Sequence, residues 1–174
     1  MRAAATAAVV VGQALLRGRL LAQTSRVAIG DLLVRNRDSS NTPLAPEDVQ
    51  PGQLVVGWPM DPVGRTPRSG ANNRLVLVRL DAGRLSAATR DQAASGVMAY
   101  SAVCTHEGCS VDYWDEKRNA LVCPCHESMF DPYDAGAVIG GPAPRALPRL
   151  GLGLEGGRLI VTSLFSATPG SEPV

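Results

Sequence analysis

All four cysteines and both histidines of the 174-residue chain lie in one stretch, between Cys104 and His126. Thiolate sulfur and imidazole nitrogen are ligands of zinc and of iron–sulfur centres, so this clustering predicts a metal site. Sixteen residues, 107–122, lie between His106 and Cys123, enough for one strand–turn–strand excursion that brings two ligand loops face to face. The two motifs read Cys104-Thr105-His106-Glu107-Gly108-Cys109 and Cys123-Pro124-Cys125-His126.

The spacing of these residues bears on which metal they bind. Structural zinc sites usually place like ligands together, as Cys-x-x-Cys with His-x-x-x-His or with a second Cys-x-x-Cys. Here each motif offers one cysteine and one histidine, together with an additional cysteine. The spacing favours iron and sulfide, but the residues by themselves leave open a zinc site and a set of unligated thiols.

The combined pattern C-T-H-x-G-C and C-P-C-H-x-S resembles the Rieske iron–sulfur proteins. It is most similar to the high-potential branch of cytochrome bc-type complexes and arsenite oxidase small subunits. Residues 141–144, Gly-Pro-Ala-Pro, resemble the proline-rich loop that shields the cluster in that branch. The resemblance implies an all-β Rieske fold, in which an antiparallel β base domain carries a small cluster-binding subdomain.

The same resemblance implies a [2Fe-2S] cluster of the Rieske type and a role for each motif residue. In the family, the two cysteines outside the ligand set form a disulfide between the loops, and Rieske ferredoxins of the dioxygenase type lack it. Neutral imidazoles in place of two thiolates ease reduction, giving about −150 to +300 mV against about −400 mV for plant-type ferredoxins. The implied roles are Cys104 and Cys123 on one iron, His106 and His126 on the other, and Cys109 with Cys125 as the disulfide.

Three residues near the motifs are implied to tune or shield the cluster. Ser128 matches the family serine that donates a hydrogen bond to a bridging sulfide, and Pro142 belongs to the shielding loop. Phe130 stands where many bc-type sequences have tyrosine. Since hydrogen bonds to the sulfurs raise the potential, the missing hydroxyl predicts a potential below the top of the range.

The residues after the two ligand histidines are Glu107 and Glu127, where bc-type proteins commonly have leucine and glycine. Burying two unpaired carboxylates in an apolar pocket is costly, so they predict docking on a basic or water-exposed partner surface. We expect a one-electron carrier with no catalytic site of its own, between a catalytic or membrane subunit and a cytochrome c-like acceptor. Two complexes could contain this carrier: a bc-type quinol:cytochrome c oxidoreductase or an arsenite oxidase-like molybdenum enzyme. Outside electron transfer, the alternative is a zinc-stabilised binding module.

Composition and the N-terminus bear on partners and location. The formal net charge of +1 and the 19% of charged residues give no sign of a nucleic-acid surface. The weakly apolar run 3–16 is too short for a confident membrane span and fits a signal sequence, so we expect residues 1–23 to be a signal-like or anchor segment. An alanine-rich helix packed on the domain is the alternative. Because a disulfide persists in oxidising compartments, we expect the periplasmic face, exported or anchored at the cytoplasmic membrane.

Short apolar runs separated by turn signals predict the antiparallel strands that position the ligand loops. Residues 59–73 are expected to be a long loop, and 81–96 to hold one short helix. We expect a Rieske domain over 24–165, its cluster-binding subdomain at about 98–142, and a loose tail over 166–174. The predicted strands are 26–34, 53–58, 74–80, 97–103 and 120–123, and a closing hairpin of 145–154 and 158–163 around Gly156-Gly157.

Overall fold

Strands dominate residues 26–171, the part of the chain that the computed structural model describes. The segment expected to be a signal or anchor, residues 1–23, lies outside this range. No helix within 26–171 is long and apolar enough to cross a membrane. The strands are β1 (Leu32–Arg35), β2 (Leu54–Asp61), β3 (Thr66–Pro67), β4 (Leu75–Arg79), β5 (Val97–Ser101), β6 (Tyr113–Asp115), β7 (Ala120–Cys123), β8 (Ser128–Asp131), β9 (Ala137–Gly140), β10 (Arg149–Glu155) and β11 (Arg158–Ser163), with a short helix α1 (Ala87–Arg90) and 3₁₀ turns at Pro46–Asp48, Ala71–Asn73 and Ala82–Arg84.

The base is a seven-stranded antiparallel sheet in the order β1-β11-β10-β5-β4-β2-β3. Strand β1 also pairs with β2, with Leu32 opposite Met60 and Arg35 opposite Gly57, so the sheet closes into a barrel. A second, four-stranded antiparallel sheet has the order β6-β7-β8-β9. The all-β prediction is confirmed, and the small sheet falls within the range expected for the cluster-binding subdomain.

Strands β4 and β5 are apolar on both faces because they separate two cores. Side chains alternate along a strand, so odd and even residues face opposite sides of the sheet. In β4, Leu75 and Leu77 belong to a core inside the barrel, whereas Val76 and Val78 belong to a core shared with the small sheet. We call these the barrel core and the interface core. The interface core includes Tyr100, Leu121, Phe130, Leu147 and the two cysteines Cys104 and Cys123.

One buried hydroxyl ties the small sheet to the base. Tyr100 of β5 is fully buried and donates a hydrogen bond of 2.7 Å to the carbonyl of Pro132, which follows β8. Burial raises the pKa of Tyr100, so the hydroxyl stays protonated and serves as a donor. This bond fixes the small sheet against the strand that leads into the first cysteine motif.

Several predicted elements differ in extent from those observed; the strand expected over 97–103, for example, ends at Ser101. The loop expected over 59–73 contains strand, because β2 continues to Asp61 and pairs with β3, where Pro67 occupies a sheet edge that needs no N–H donor. Strand β1 begins only at Leu32, because the buried carboxylate of Asp31 accepts the N–H of Ala28 at 2.7 Å and binds Arg68. The short helix appears as expected, and the closing hairpin forms with Glu155 opposite Arg158, but its first strand begins at Arg149 rather than at residue 145.

The segment expected to be a loose tail from Ser166 is hydrogen-bonded through Gly170. The N–H of Ser166 donates to the carbonyl of Arg149 at 2.9 Å. A guanidinium group from Arg145 binds two carbonyls farther along. These bonds hold residues 166–170 on the base, because the carbonyls of Thr168 and Gly170 accept hydrogen bonds from Arg145.

Candidate metal centre

The first ligand loop, residues 104–109, is a tight turn that follows β5. Its two ends are joined by the N–H of Cys104, which donates to the carbonyl of Cys109 at 2.8 Å. The N–H of Gly108 donates to the carbonyl of Cys104 at 3.0 Å, with Gly108 at a φ of +75°. A residue without a Cβ suits this left-handed position. The turn keeps Cys104 buried and leaves His106 and Glu107 at the tip.

The second ligand loop, residues 123–128, joins β7 to β8. Cys123 and Ser128 are opposite one another in the strand pair, and both are buried. The four residues between them are exposed. Glu127 closes the turn with a φ of +58°, a conformation that glycine adopts more readily.

A disulfide joins Cys109 of the first ligand loop to Cys125 of the second, with 6.5 Å between the Cα atoms. The predicted pairing is therefore confirmed. Since the two loops come from different strands, the disulfide fixes their separation at the residue that directly precedes His126.

The two histidine side chains meet at the tip. Their Nδ1 atoms lie 3.3 Å apart, and the rings are nearly perpendicular, at 89° with 4.8 Å between centroids. Metal–nitrogen bonds of about 2.1 Å at a tetrahedral angle put two ligand nitrogens about 3.4 Å apart. The Nδ1 atoms of His106 and His126 therefore suit a shared metal ion, and the side chain of His126 remains 45% exposed.

The remaining cysteines, Cys104 and Cys123, are free thiols that lie 1% exposed in the interface core. Burial is the main reason that the pKa of Cys123 lies above its ordinary value. A hydrogen bond from the backbone N–H of Cys125 lowers this pKa, and the adjacent Cys104 thiol raises it. The two free thiols are thus neighbours, like the two imidazoles.

The donor atoms form two groups rather than one. The sulfurs of Cys109, Cys123 and Cys125 lie within 4.8 Å of one another, and so do donor atoms of the two histidines and Glu107. No cluster of three within residues 26–171 combines a histidine nitrogen with a cysteine sulfur at that distance. Two of these three sulfurs belong to the disulfide, whereas the free thiols of Cys104 and Cys123 lie together in the interface core. A nitrogen pair at the tip and a thiol pair in the core suit a two-iron cluster better than a single tetrahedral zinc ion, which would draw all four ligands together.

A buried hydroxyl without a partner supports the same conclusion. The Oγ atom of Ser128 is buried and has no hydrogen-bond partner among the described residues. Leaving a buried hydroxyl unsatisfied costs about 1 to 3 kcal/mol, so such groups usually have an acceptor. A sulfide of the predicted cluster would supply one. Phe130, two residues farther on, is fully buried in the interface core.

The proline-rich segment crosses the second ligand loop at very short range. A Cβ atom added to Gly141 would lie 2.5 Å from the Cα of Ser128 and 2.6 Å from the carbonyl oxygen of Glu127. Pro142 follows in an exposed position. Only a residue without a side chain allows this approach, which is consistent with a covering role for residues 141–144.

Two acidic side chains lie on the exposed part of the ligand loops, Glu107 on the first and Glu127 on the second. An oxygen of Glu107, 63% exposed, lies 3.8 Å from Nε2 of His126. Glu127 is also exposed. The structure therefore keeps both carboxylates in water, and that of Glu107 lies next to Nε2 of His126.

Sequence reasoning missed two residues that anchor the first ligand loop. Arg74, just before β4, donates to the hydroxyl of Ser110 at 2.6 Å, and its guanidinium lies 3.7 Å from the carboxylate of Asp112. Thr105, between two predicted ligands, is 1% exposed and donates to the carbonyl of Arg145 at 2.8 Å. Thr105 was visible in the motif, but no local pattern identifies its partner.

Removing the disulfide should lower the stability of the protein without changing which atoms bind metal. The bond closes a loop with a sequence separation of 16, and such a cross-link contributes about 3 kcal/mol in the chain-entropy model. We expect Cys109→Ser with Cys125→Ser to lower the free energy of unfolding by about that amount in urea titration. An unchanged urea midpoint would contradict a stabilising role for this bond.

The chain is similar in sequence to a known domain family and to several proteins of that family. The family model of the Rieske [2Fe-2S] domain matches residues 63–151, which include both ligand loops and the proline-rich segment. A cytochrome bc1 complex Rieske iron–sulfur subunit of Streptomyces lividans is 34% identical over 130 residues, covering 72% of this chain and 75% of that protein. A putative respiratory nitrate reductase Rieske subunit of Haloferax mediterranei is 49% identical over 77 residues, covering 44% of this chain and 34% of that protein. The solved plasma membrane Rieske protein of Synechocystis PCC 6803 is 27% identical with a TM-score of 0.40, over 63% of this chain and 86% of that one.

Proposed function

The chain belongs to the Rieske [2Fe-2S] domain family, and on that premise we propose that it transfers single electrons as the iron–sulfur subunit of a respiratory-type redox complex. Cys104 and Cys123 would hold one iron, and His106 and His126 the other. The bound cluster would supply a one-electron couple with a potential higher than that of an all-cysteine cluster. The observation that carries this proposal is the separation of the donors into an exposed nitrogen pair and a buried sulfur pair.

The distribution of these ligands suits electron exchange at a surface. The sulfur side lies in the interface core, where apolar packing excludes water and fixes the loops. The nitrogen side reaches solvent through His126, so a docked partner would approach the imidazole edge. The sequence holds four cysteines and two histidines, and the proposal uses all of them, so we assign no separate catalytic site.

The partner proposal rests on the acidic tip. An apolar quinol pocket would have to bury Glu107 and Glu127 without partners, which is costly. We therefore favour a basic or hydrated docking surface on a catalytic subunit of a molybdenum-type enzyme, with a cytochrome c-like acceptor. The Haloferax relative, named as a nitrate reductase subunit, supports this choice, whereas the Streptomyces relative, named as a bc1 subunit, supports the quinol alternative. The Cys109–Cys125 disulfide supports a location on the periplasmic face of the cytoplasmic membrane, because disulfides persist in oxidising compartments.

Electron paramagnetic resonance of the dithionite-reduced protein tests the proposed function. A mixed sulfur and nitrogen signature with about two irons per chain is the expected result. A colourless protein that carries zinc would overturn the proposal. The measurement requires only the purified protein and not its partners.

Electron exchange with the physiological partner should slow as the salt concentration is raised. Opposite charges steer association, and salt screens them. We expect Glu107→Gln with Glu127→Gln to slow the second-order rate on the order of tenfold at low salt and to flatten its salt dependence. Stopped-flow mixing at several ionic strengths measures both effects.

The matched control removes two acidic charges elsewhere. Glu116, in the turn between β6 and β7, and Glu155, beside the hairpin turn, are both exposed and lie outside the ligand loops. Glu116→Gln with Glu155→Gln changes the net charge equally and should leave the salt dependence nearly unchanged. If both double variants behave alike, the acidic tip does not direct docking. A cluster resonance that shifts with a quinol analogue in the complex would favour the quinol alternative.

Two variants that remove or add a hydroxyl near the sulfur side should shift the reduction potential in opposite directions. Ser128→Ala removes the buried hydroxyl and should lower the potential, because a donor to sulfur stabilises the reduced, more negative cluster. Phe130→Tyr restores the hydroxyl common in bc-type proteins and should raise it. Protein-film voltammetry measures both shifts. Unchanged potentials in both variants would rule out a tuning role for these positions.

A further inference from the structure

The chain that follows β11 is hydrogen-bonded to the base at Ser166. Ser166 donates its N–H to the carbonyl of Arg149 at 2.9 Å, and its hydroxyl accepts the N–H of Arg149 at 3.2 Å. Arg149 begins β10 and pairs with Tyr100 of β5, the strand that leads into the first ligand loop. Residues 166–170, which we call the C-terminal strap, therefore start beside the approach to the cluster site.

Arg145 holds the far half of the strap. Its Nη2 group donates to the carbonyls of Thr168 at 2.8 Å and Gly170 at 2.6 Å. Hydrogen bonds from a charged donor are stronger than those between neutral groups. Arg145 directly follows Pro144, so the same residue ends the proline-rich segment that covers the second ligand loop.

Arg145 contacts the first ligand loop at Thr105, and the strap contacts the chain just before that loop at Val103. The carbonyl of Arg145 accepts the hydroxyl of buried Thr105, which stands between Cys104 and His106. Gly170 is buried close to Val103, since a Cβ added there would lie 3.3 Å from Cγ1 of Val103. Only Arg145 therefore lies between the strap and Thr105 in this chain of contacts.

We propose that Arg145 and the C-terminal strap form a clamp that positions His106 for electron exchange, by holding Thr105 through the backbone of Arg145. The proposal rests on the proposed cluster ligands and goes beyond them, because neither Arg145 nor the strap binds metal. Arg145 is a positioning residue. A clamp affects the ordering of the imidazole and the retention of the cluster, whereas a purely structural bond affects only the unfolding midpoint.

Two variants test the clamp from opposite sides in the loaded protein. Arg145→Gln removes the guanidinium group that donates both hydrogen bonds. A chain that ends at Ala167 removes the accepting carbonyls of Thr168 and Gly170 and keeps Ser166. Each should speed the loss of the cluster to an iron chelator by at least about tenfold, because two hydrogen bonds from a charged donor are lost and one ordinary hydrogen bond already corresponds to about that factor. Each should also broaden the resonance of the reduced protein, because His106 samples more orientations.

The matched control is Arg158→Gln. Arg158 donates from Nη1 to the carbonyl of Pro43 at 3.0 Å, a bond of the same kind at the other end of β11 from the strap. It should lower stability comparably and leave cluster loss at the rate of the unmodified protein. In the truncated chain, Arg145→Gln should add little to the rate of cluster loss, because the two carbonyls that Nη2 of Arg145 binds are already gone.

The outcomes separate the clamp from the proposed function. If the unmodified protein binds no cluster, the proposed function fails. If it binds the cluster and neither variant loses it faster than Arg158→Gln, the clamp alone fails, and additive effects also overturn it. Should Arg145→Gln not fold, the truncation and Arg145→Lys decide the question, because Lys keeps the charge and should give an intermediate rate.

Discussion

Cys123→Ser and Cys104→Ser should each give a folded protein that has lost the cluster. Serine keeps the shape of cysteine, but its hydroxyl is a poor substitute for a thiolate as a ligand to iron. Iron content and the reduced-state resonance should fall to background in both variants. We expect this to be the largest functional effect of any substitution at these loops, because one ligand of a four-ligand site is removed.

The disulfide variant provides the control for this loss. Cys109→Ser with Cys125→Ser removes two neighbouring sulfurs that the proposal does not assign as ligands. It should be less stable, yet its cluster should keep the same resonance positions. The opposite pattern, with the cluster kept after Cys123→Ser and lost without the disulfide, would show that the ligand assignment is wrong.

Loss of the cluster should leave the base folded because most of the base does not depend on the ligands. The barrel core is made by residues such as Leu33, Leu77 and Leu150, none of which belongs to the interface core. A serine hydroxyl in place of a buried thiol costs about 1 to 3 kcal/mol when it lacks a partner. Far-UV circular dichroism of the two ligand variants should therefore retain the β-sheet spectrum, with a lower unfolding midpoint.

Gly141→Ala should disrupt the cluster site through the backbone of the second ligand loop. Its φ of +78° disfavours a side chain, and the added Cβ would lie 2.5 to 2.7 Å from atoms of Glu127 and Ser128. A left-handed alanine costs about 1 to 2 kcal/mol and overpacking a further 1 to 3. We expect unfolding to be easier by about 2 to 5 kcal/mol and the cluster to be lost faster to a chelator.

Gly157→Ala isolates the contribution of the contact. Gly157 has a φ of +76° in the hairpin turn, and a Cβ there would meet nothing within 4 Å. It carries the same conformational cost without the collision, so it should destabilise the protein by only about 1 to 2 kcal/mol. Cluster loss from this variant should match that of the unmodified protein. Equal effects of the two alanines on both measurements would show that the proline-rich segment does not press on the loop.

The sequence by itself determined the chemistry of the site and the class of the fold. Ligand types and their spacing are local properties, so the two motifs could be identified without coordinates, and the family pattern gave the disulfide. The strand signal was clear where short runs of branched apolar residues occur, as in β4 and β11, and where Gly156-Gly157 marks a turn. Strands β6, β8 and β9, of three or four residues each, were not predicted, and the four-residue β7 was predicted only because it leads into the second cysteine motif.

Only the tertiary structure decided how the loops are held. Thr105 and Arg145 are 40 residues apart, and Arg145 and Gly170 are 25 apart, so no periodicity along the chain relates them. The expected loose tail became a strap because carbonyls at its far end met a guanidinium group from another part of the chain. The apolar run of β4 did not reveal that its two faces serve two different cores. Such contacts depend on which surfaces the folded strands bring together, and the separation of the nitrogen and sulfur donors at the cluster site has the same origin.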